Sequence, residues 1–295
     1  MTKASRRNFG RPSNGAWNTV KGKKTPAGVI ASDSDEMEGR IPTGYANLST
    51  SSLTFGALTG AIALGSSLGI DSQKIELYRK RADELKQAID DYFGANIQGL
   101  HSYRYFDGHE GFRHWICLPL LMGIFDRAAG TTDALFSHLW TPLGLRVQSG
   151  VDIWWDRGTL YALNAVLHAG FVERAMPYLQ EYTHKRLLGE HVPYAMEAYP
   201  ENNQAHLAAE SALYGRVIVE GLFGVQPAGL NSFTIKPSMP AAWNEMSLRN
   251  AHGFGHVFDV SVRKVKEKIE IHITKGGKTV ARKTVARKHA MVVKF

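Results

Sequence analysis

Apolar positions recur at intervals of three and four from about residue 45 to 225, and at intervals of two after Gly229. The first spacing is that of helices with one buried face, and the second that of strands. The clearest helical run is Ser72–Phe93, where Ile75, Tyr78, Ala82, Leu85, Ile89 and Phe93 share a face. Ser72 is its expected N-cap and Gly94 its expected stop. Leu53–Gly69 reads as a small-residue helix, and Phe112–Ala129 as a helix that is apolar nearly all round and therefore covered on both sides. Thr132–Trp140, Gly158–Ala169, Val172–Arg186 and Ala205–Phe223 complete the set.

These helices alternate between apolar and amphipathic, as a double ring requires: inner helices are covered on two sides and outer ones on one. Long aromatic loops separate them at Gly99–Gly111, Thr141–Asp156 and Leu188–Gln204. Such loops on a helical scaffold usually carry function, and a shared site places all three on one rim. Beyond Gly229 the segments FTIKP, DVSVRKV, KIEIHIT and TVARKTV alternate, and Lys-Gly-Gly-Lys at 275–278 is a hairpin turn. The expected fold is mainly α: a partial (α/α) toroid over 43–228, preceded by an extended segment 1–42 and followed by a small antiparallel β domain over 229–295.

Charge sharpens the picture. The net charge is +8, but residues 1–24 hold seven Lys/Arg and no acid, and residues 231–295 hold thirteen against four acids. The body, 25–230, holds fifteen bases and twenty-three acids. An acidic body suits a neutral, hydroxyl-rich ligand better than a phosphate backbone, so no nucleic-acid partner is expected. The longest apolar run, Leu53–Ile70, is interrupted by Gly56, Gly60, Gly65 and Gly69, so no membrane partner is expected either. The basic N-terminus, MTKASRRNFGRPSNG, lacks the apolar stretch of a secretory signal. The single cysteine, Cys117, sits in an apolar run and reads as a buried thiol.

Three constellations combine aromatic rings with carboxylates: His101–Trp115, Val151–Tyr161 and His191–Glu210. Sugars are held that way, with C–H faces on aromatic rings and hydroxyls on charged side chains. Arg113, Trp115, Trp154, Trp155, Asp156, Arg157 and Tyr194 are the candidate substrate-binding residues. Asp156 could equally be a helix N-cap. Glycosyl transfer to water needs an acid on the leaving oxygen and a base or nucleophile at the anomeric carbon. Glu197 is the first catalytic candidate, because Pro193, Tyr194, Tyr199 and Pro200 stiffen its turn, and Glu201 is its rival. Glu210 falls inside a helix and serves a structural salt bridge equally well. No metal or cofactor is expected: His184, His191 and His206 share no ligand spacing, and no Gly-rich phosphate loop occurs.

Leu118–Ile124 reads LPLLMGI, Trp155–Asn164 reads WDRGTLYALN, 197–201 reads EAYPE, 208–215 reads AAESALYG and 237–243 reads PSMPAAW. In this order the segments resemble the (α/α)6-barrel, or six-hairpin, glycoside hydrolases, especially the processing α-glucosidase and trehalase-like families. The resemblance implies an inverting hydrolase of an oligo- or polysaccharide, with Glu197 as general base. Asp156, inserted between Trp and Arg, departs from the family pattern. The family acid lies before the helix near Tyr45, where only Asp33, Asp35, Glu36 and Glu38 stand, in an ASDSDEMEG context that does not match. The toroid has twelve helices and the pattern supplies about seven. The resemblance therefore implies further helices on a preceding segment or a partner chain, or an inactive remnant. A non-hydrolytic carbohydrate protein on the same toroid, such as a lyase or epimerase using Tyr and His or a sugar-binding remnant, is the alternative.

Overall fold

A computed structural model describes residues 22–32, 34–35, 39–188, 208–287 and 289–295. Among these, seven helices precede a run of antiparallel strands. The described residues do not close a ring of twelve helices. A mainly helical part followed by antiparallel β structure is what they form.

Helix α1, Leu48–Ser67, is long and apolar enough by length and composition to cross a membrane. It buries Ser49, Ser51 and Ser52 and packs on the next helix and on strand β5 (Val225–Gly229). Helix α2, Ser72–Phe93, takes the expected bounds and buries the expected face, including Ile75, Tyr78, Leu85, Ile89 and Phe93. Its cap is Asp71 and not Ser72: the Asp71 carboxylate accepts from Gln73 N at 3.0 Å, a stronger anion-to-dipole contact than a hydroxyl offers.

The stretch expected to be almost wholly helical contains two hairpins. Strands β1 (Gly94–Ile97) and β2 (Leu100–Tyr103) pair through Gln98 and Gly99, both at positive φ (51° and 81°), which is the two-residue turn matched to strand twist. A shorter pair, β3 (Trp140–Thr141) and β4 (Gly144–Leu145), follows later. The expected helix Phe112–Ala129 is also broken. A 3-10 turn at His114–Cys117 leads into a single α turn, α3 (Leu118–Leu121), which Gly123 ends at φ 91°. Pro119 suits the start of that turn, where its missing N–H goes unused.

Helix α4, Ala128–Ala134, starts before the expected Thr132 and runs on as a π turn, Leu135–Leu139. Helix α5, Asp156–His168, is buried along most of its length and packs on α3, on α6 (Val172–Tyr182) and on α7 (Ala208–Arg216). The last two helices also continue as π turns, Thr183–Leu187 and Val217–Leu222.

Strand β5 pairs with β6 (Ser232–Ile235), and β11 (Met291–Lys294) completes a three-stranded sheet in the order β11-β6-β5. Strands β7 (Glu245–Gly253), β8 (His256–Val265), β9 (Lys268–Lys275) and β10 (Lys278–Ala286) form a four-stranded meander. Register alternates cleanly: Val260 faces Ile273 and Val262 faces Ile271 on the buried side, while Ser261 faces His272 on the other. Each fully buried aliphatic contributes roughly 1.5–3 kcal/mol. Phe233 joins the two sheets by stacking on Phe254 and Phe258 at 5.0 and 5.3 Å. The β9–β10 turn uses Gly276 and Gly277 at positive φ, between paired Lys275 and Lys278.

Candidate functional site

Two of the three expected loops are stitched together by backbone. Arg113 bridges Gln148, His114 N donates to Val147 O at 3.0 Å, and Ser149 N donates to Phe112 O at 2.9 Å. The third loop, with Tyr194, Glu197 and Glu201, lies outside the described residues, so the one-rim expectation rests on the first two.

The seam orients His114. Its ring Nδ1 lies 2.7 Å from Val147 O, and a carbonyl only accepts, so Nδ1 carries the proton and Nε2 keeps a lone pair. Nε2 is buried and has no partner among the described residues. Burial pushes the imidazole pKa down to about 3; the Val147 bond opposes that, and the cations Arg113 and Arg157 add to it. His114 is therefore a neutral acceptor at pH 7.

The first turn of α5 stands against this imidazole. Trp155 is extended (φ −120°, ψ 121°) at the N-cap position, and Asp156, Arg157 and Gly158 follow. A Cβ on Gly158 would come within 2.6 Å of His114 Cδ2, so glycine alone fits. Arg157 Nε and Nη2 both donate to Glu210 Oε1, at 2.8 and 2.7 Å. The Arg157 guanidinium stands 5.3 Å from the Trp155 ring centre. Glu210 is fully buried, and among the described residues neither its Oε2 nor the buried Trp155 Nε1 has a partner. Such orphaned groups are uncommon in folded proteins and call for an account. Arg157, about a quarter exposed, is the member of the group that reaches solvent.

Other candidates have other partners. Arg113 is fully buried and forms an ion pair with Asp35, and its Nη1 donates to Pro42 O at 3.1 Å. Tyr105 OH also donates to Asp35, at 2.6 Å. Of the four upstream acids implied by the family resemblance, Asp35 is the one described. It braces Arg113 and so holds the seam from below. Trp115 packs between the His114 ring (3.9 Å) and the Tyr161 ring (5.6 Å). Trp155 joins Ile41 and Val147 in a small apolar cluster apart from the main core. Thus Arg113, Trp115, Trp155 and Arg157 gather around His114.

Trp154 and Asp156 point elsewhere. Trp154 Nε1 donates to Thr141 Oγ1 at 2.8 Å, with Arg146 over the ring, which ties it to the β3–β4 hairpin. Asp156 does not cap its helix; it forms a buried ion pair with Arg186 at 3.3 Å, fastening α5 to the end of α6. Alternation along the extended 154–155 pair sends the two tryptophans to opposite sides.

His114 and the Asp35–Arg113 pair escape sequence reasoning. His114 lies within the His101–Trp115 segment, but nothing local distinguishes it from the other histidines there, and the ion pair spans 78 residues. The Arg157–Glu210 pair had a trace, since both residues occur in the quoted segments. His252 and His256, four apart, flank the β7–β8 turn. Among the described residues no group of three or more His, Cys, Asp or Glu could hold a metal ion. Gly65–Gly69 reads GSSLG, but Ser67 ends α1, and its Oγ accepts from Leu230 N at 3.0 Å.

No known protein family matches the chain, and no curated protein does. Among solved structures it is similar to neutral trehalase Nth1 from Saccharomyces cerevisiae, with a TM-score of 0.45 and 11% identity over 62% of this chain and 39% of that one. The chain thus spans well under half the length of that trehalase.

Proposed function

We propose that this chain is a glycoside hydrolase, or the C-terminal portion of one, built on a partial (α/α) toroid and acting with inversion on an oligo- or polysaccharide. The observation that carries the reading is the grouping of Trp155, Arg157 and Glu210. An indole face, a partly exposed guanidinium and a buried carboxylate with one oxygen uncommitted meet at one helix start. Sugar hydroxyls bond to the partly exposed Arg157 guanidinium, which the Trp155 ring and the Glu210 carboxylate orient from the buried side. Glu197, in its Pro- and Tyr-flanked turn, is assigned as general base on sequence grounds, with Glu201 as the alternative. Inversion requires its partner acid roughly 6.5–9.5 Å away, with room for water between.

The chemistry of His114 weighs against this residue as the proton-drawing base of a lyase or epimerase. Such a base is effective when its pKa lies near the working pH, and burial holds this one at about 3.

The test is a hydrolysis screen of α- and β-linked gluco- and manno-oligosaccharides, read by proton NMR for the anomer released first. Release of the inverted anomer from one linkage class is expected. No hydrolysis of any member, together with no binding of any member by calorimetry, would overturn the proposal.

A further inference from the structure

The turn between α5 and α6 meets the β6–β7 connection across a crevice of about 480 Å³. That volume is within the roughly 300–1,000 Å³ typical of small-molecule sites, which favour junctions between structural units. The crevice lies at the C-terminal end of α5, whereas Trp155 and Arg157 lie at its start. It is therefore separate from the sugar site.

Its walls are mainly apolar. Phe171 and Val172 come from the helical side, Met239 from the PSMPAAW segment and Ile269 from β9. Met239 and Ile269 are buried and form the floor. The neutral and acidic polar groups in the lining are already engaged: Ser238 Oγ donates to Leu167 O at 2.8 Å, and Glu173 Oε1 accepts from Ala241 N at 2.6 Å. Two cations remain. Lys236 sits 5.8 Å from the Phe125 ring centre, and among the described residues neither Lys236 nor Arg287 has a carboxylate partner.

We infer that this crevice binds a small amphipathic anion, with an apolar body against Met239 and Ile269 and a carboxylate or sulfonate head between Lys236 and Arg287. Two cations beside an apolar floor attract that combination. A sugar has no charge for the cations and little apolar surface for the floor. A nucleotide would bring several negative charges to a lining that also holds the Glu173 carboxylate. The inference stands apart from the glycosidase reading, since none of these residues contacts the site around His114.

The probe is 8-anilinonaphthalene-1-sulfonate, titrated into the full chain and followed by fluorescence. One saturable site is expected. Decanoate should displace the probe, and 1-decanol should do so at least about tenfold less well, the factor that a single charge contact of about 1.4 kcal/mol supplies. Arg287→Ala should weaken binding about tenfold and Arg287→Lys much less. Val172→Trp should block the crevice. Circular dichroism identifies any variant that fails to fold, and Arg287, on the surface of a turn, is the safer of the two positions. Absence of saturable binding, equal displacement by decanoate and decanol, or unchanged affinity in a folded Arg287→Ala protein would each overturn the inference.

Discussion

Gly158 lies so close to His114 that a single added carbon would stand 2.6 Å from the imidazole. The contact fixes the start of α5 against the seam between the first two loops, and the seam holds the imidazole in place through Val147. Gly158→Ala should therefore cost about 1–3 kcal/mol, the scale of overpacking in a closed interior. Alanine is a better helix former, so a gain would be expected if the contact were loose. Urea unfolding of the two proteins distinguishes these outcomes.

Arg157 and Glu210 should behave as an unequal pair. Arg157→Ala leaves a buried carboxylate without its cation and should destabilise the fold toward the lower end of about 3–5 kcal/mol, because Arg157 keeps some solvent contact. Glu210→Gln should cost less, since the guanidinium can turn to water. Combining Arg157→Ala with Glu210→Gln should recover part of the loss. A double-mutant cycle by chemical denaturation gives the coupling, and simple additivity would show that the pair does not act as one.

His114 should make stability fall in acid. In the folded chain its pKa is held at about 3, below the ordinary 6.5. Between those values the unfolded chain takes up a proton that the folded chain refuses. Stability from this group is therefore full above pH 6.5 and declines as pH falls toward 3, by up to about 1.4 kcal/mol per pH unit. His109 and His168 are also lowered by burial, so the comparison must be made against His114→Asn. That variant should show a shallower decline over the same range. Parallel pH profiles for the two proteins would refute the assignment.

Glu197→Gln should lower turnover on the substrate found in the screen by at least about 10²-fold, the scale of a lost general base. The melting temperature should not move, because the change keeps side-chain size. If Glu201→Gln alone produces that loss, the base is Glu201.

The elements legible in the sequence were those whose pattern is local. Ser72–Phe93 shows its 3–4 spacing over six turns, and strands β8, β9 and β10 show period two, with Lys-Gly-Gly-Lys turning the last pair. The failures are also instructive. Phe112–Ala129 is apolar enough for a helix, but the seam at Arg113 and Gln148 holds its first residues extended, and Gly123 ends what remains. The β1–β2 hairpin turns at Gln98, where a left-handed backbone is not announced by residue type. In the site, the sequence picked out Trp155 and Arg157 by their chemistry. It could not pick out His114, whose role comes from a carbonyl 33 residues away.

The three buried ion pairs of the helical part and the pairs on the four-stranded sheet occupy different electrical environments. Asp35–Arg113 and Asp156–Arg186 are nearly without solvent contact, and Glu210–Arg157 is buried on its acidic side. Glu245–Arg263 lies largely in water, and Glu270–Arg282 is open to it on the arginine side. At 1 M salt the screening length shrinks to about 3 Å, which removes most attraction between exposed charges and leaves buried ones nearly intact. Brine should accordingly loosen the outer face of the four-stranded sheet while the frame around His114 keeps its grip. Amide exchange at high ionic strength should quicken first along β7 and β10 and last at the start of α5.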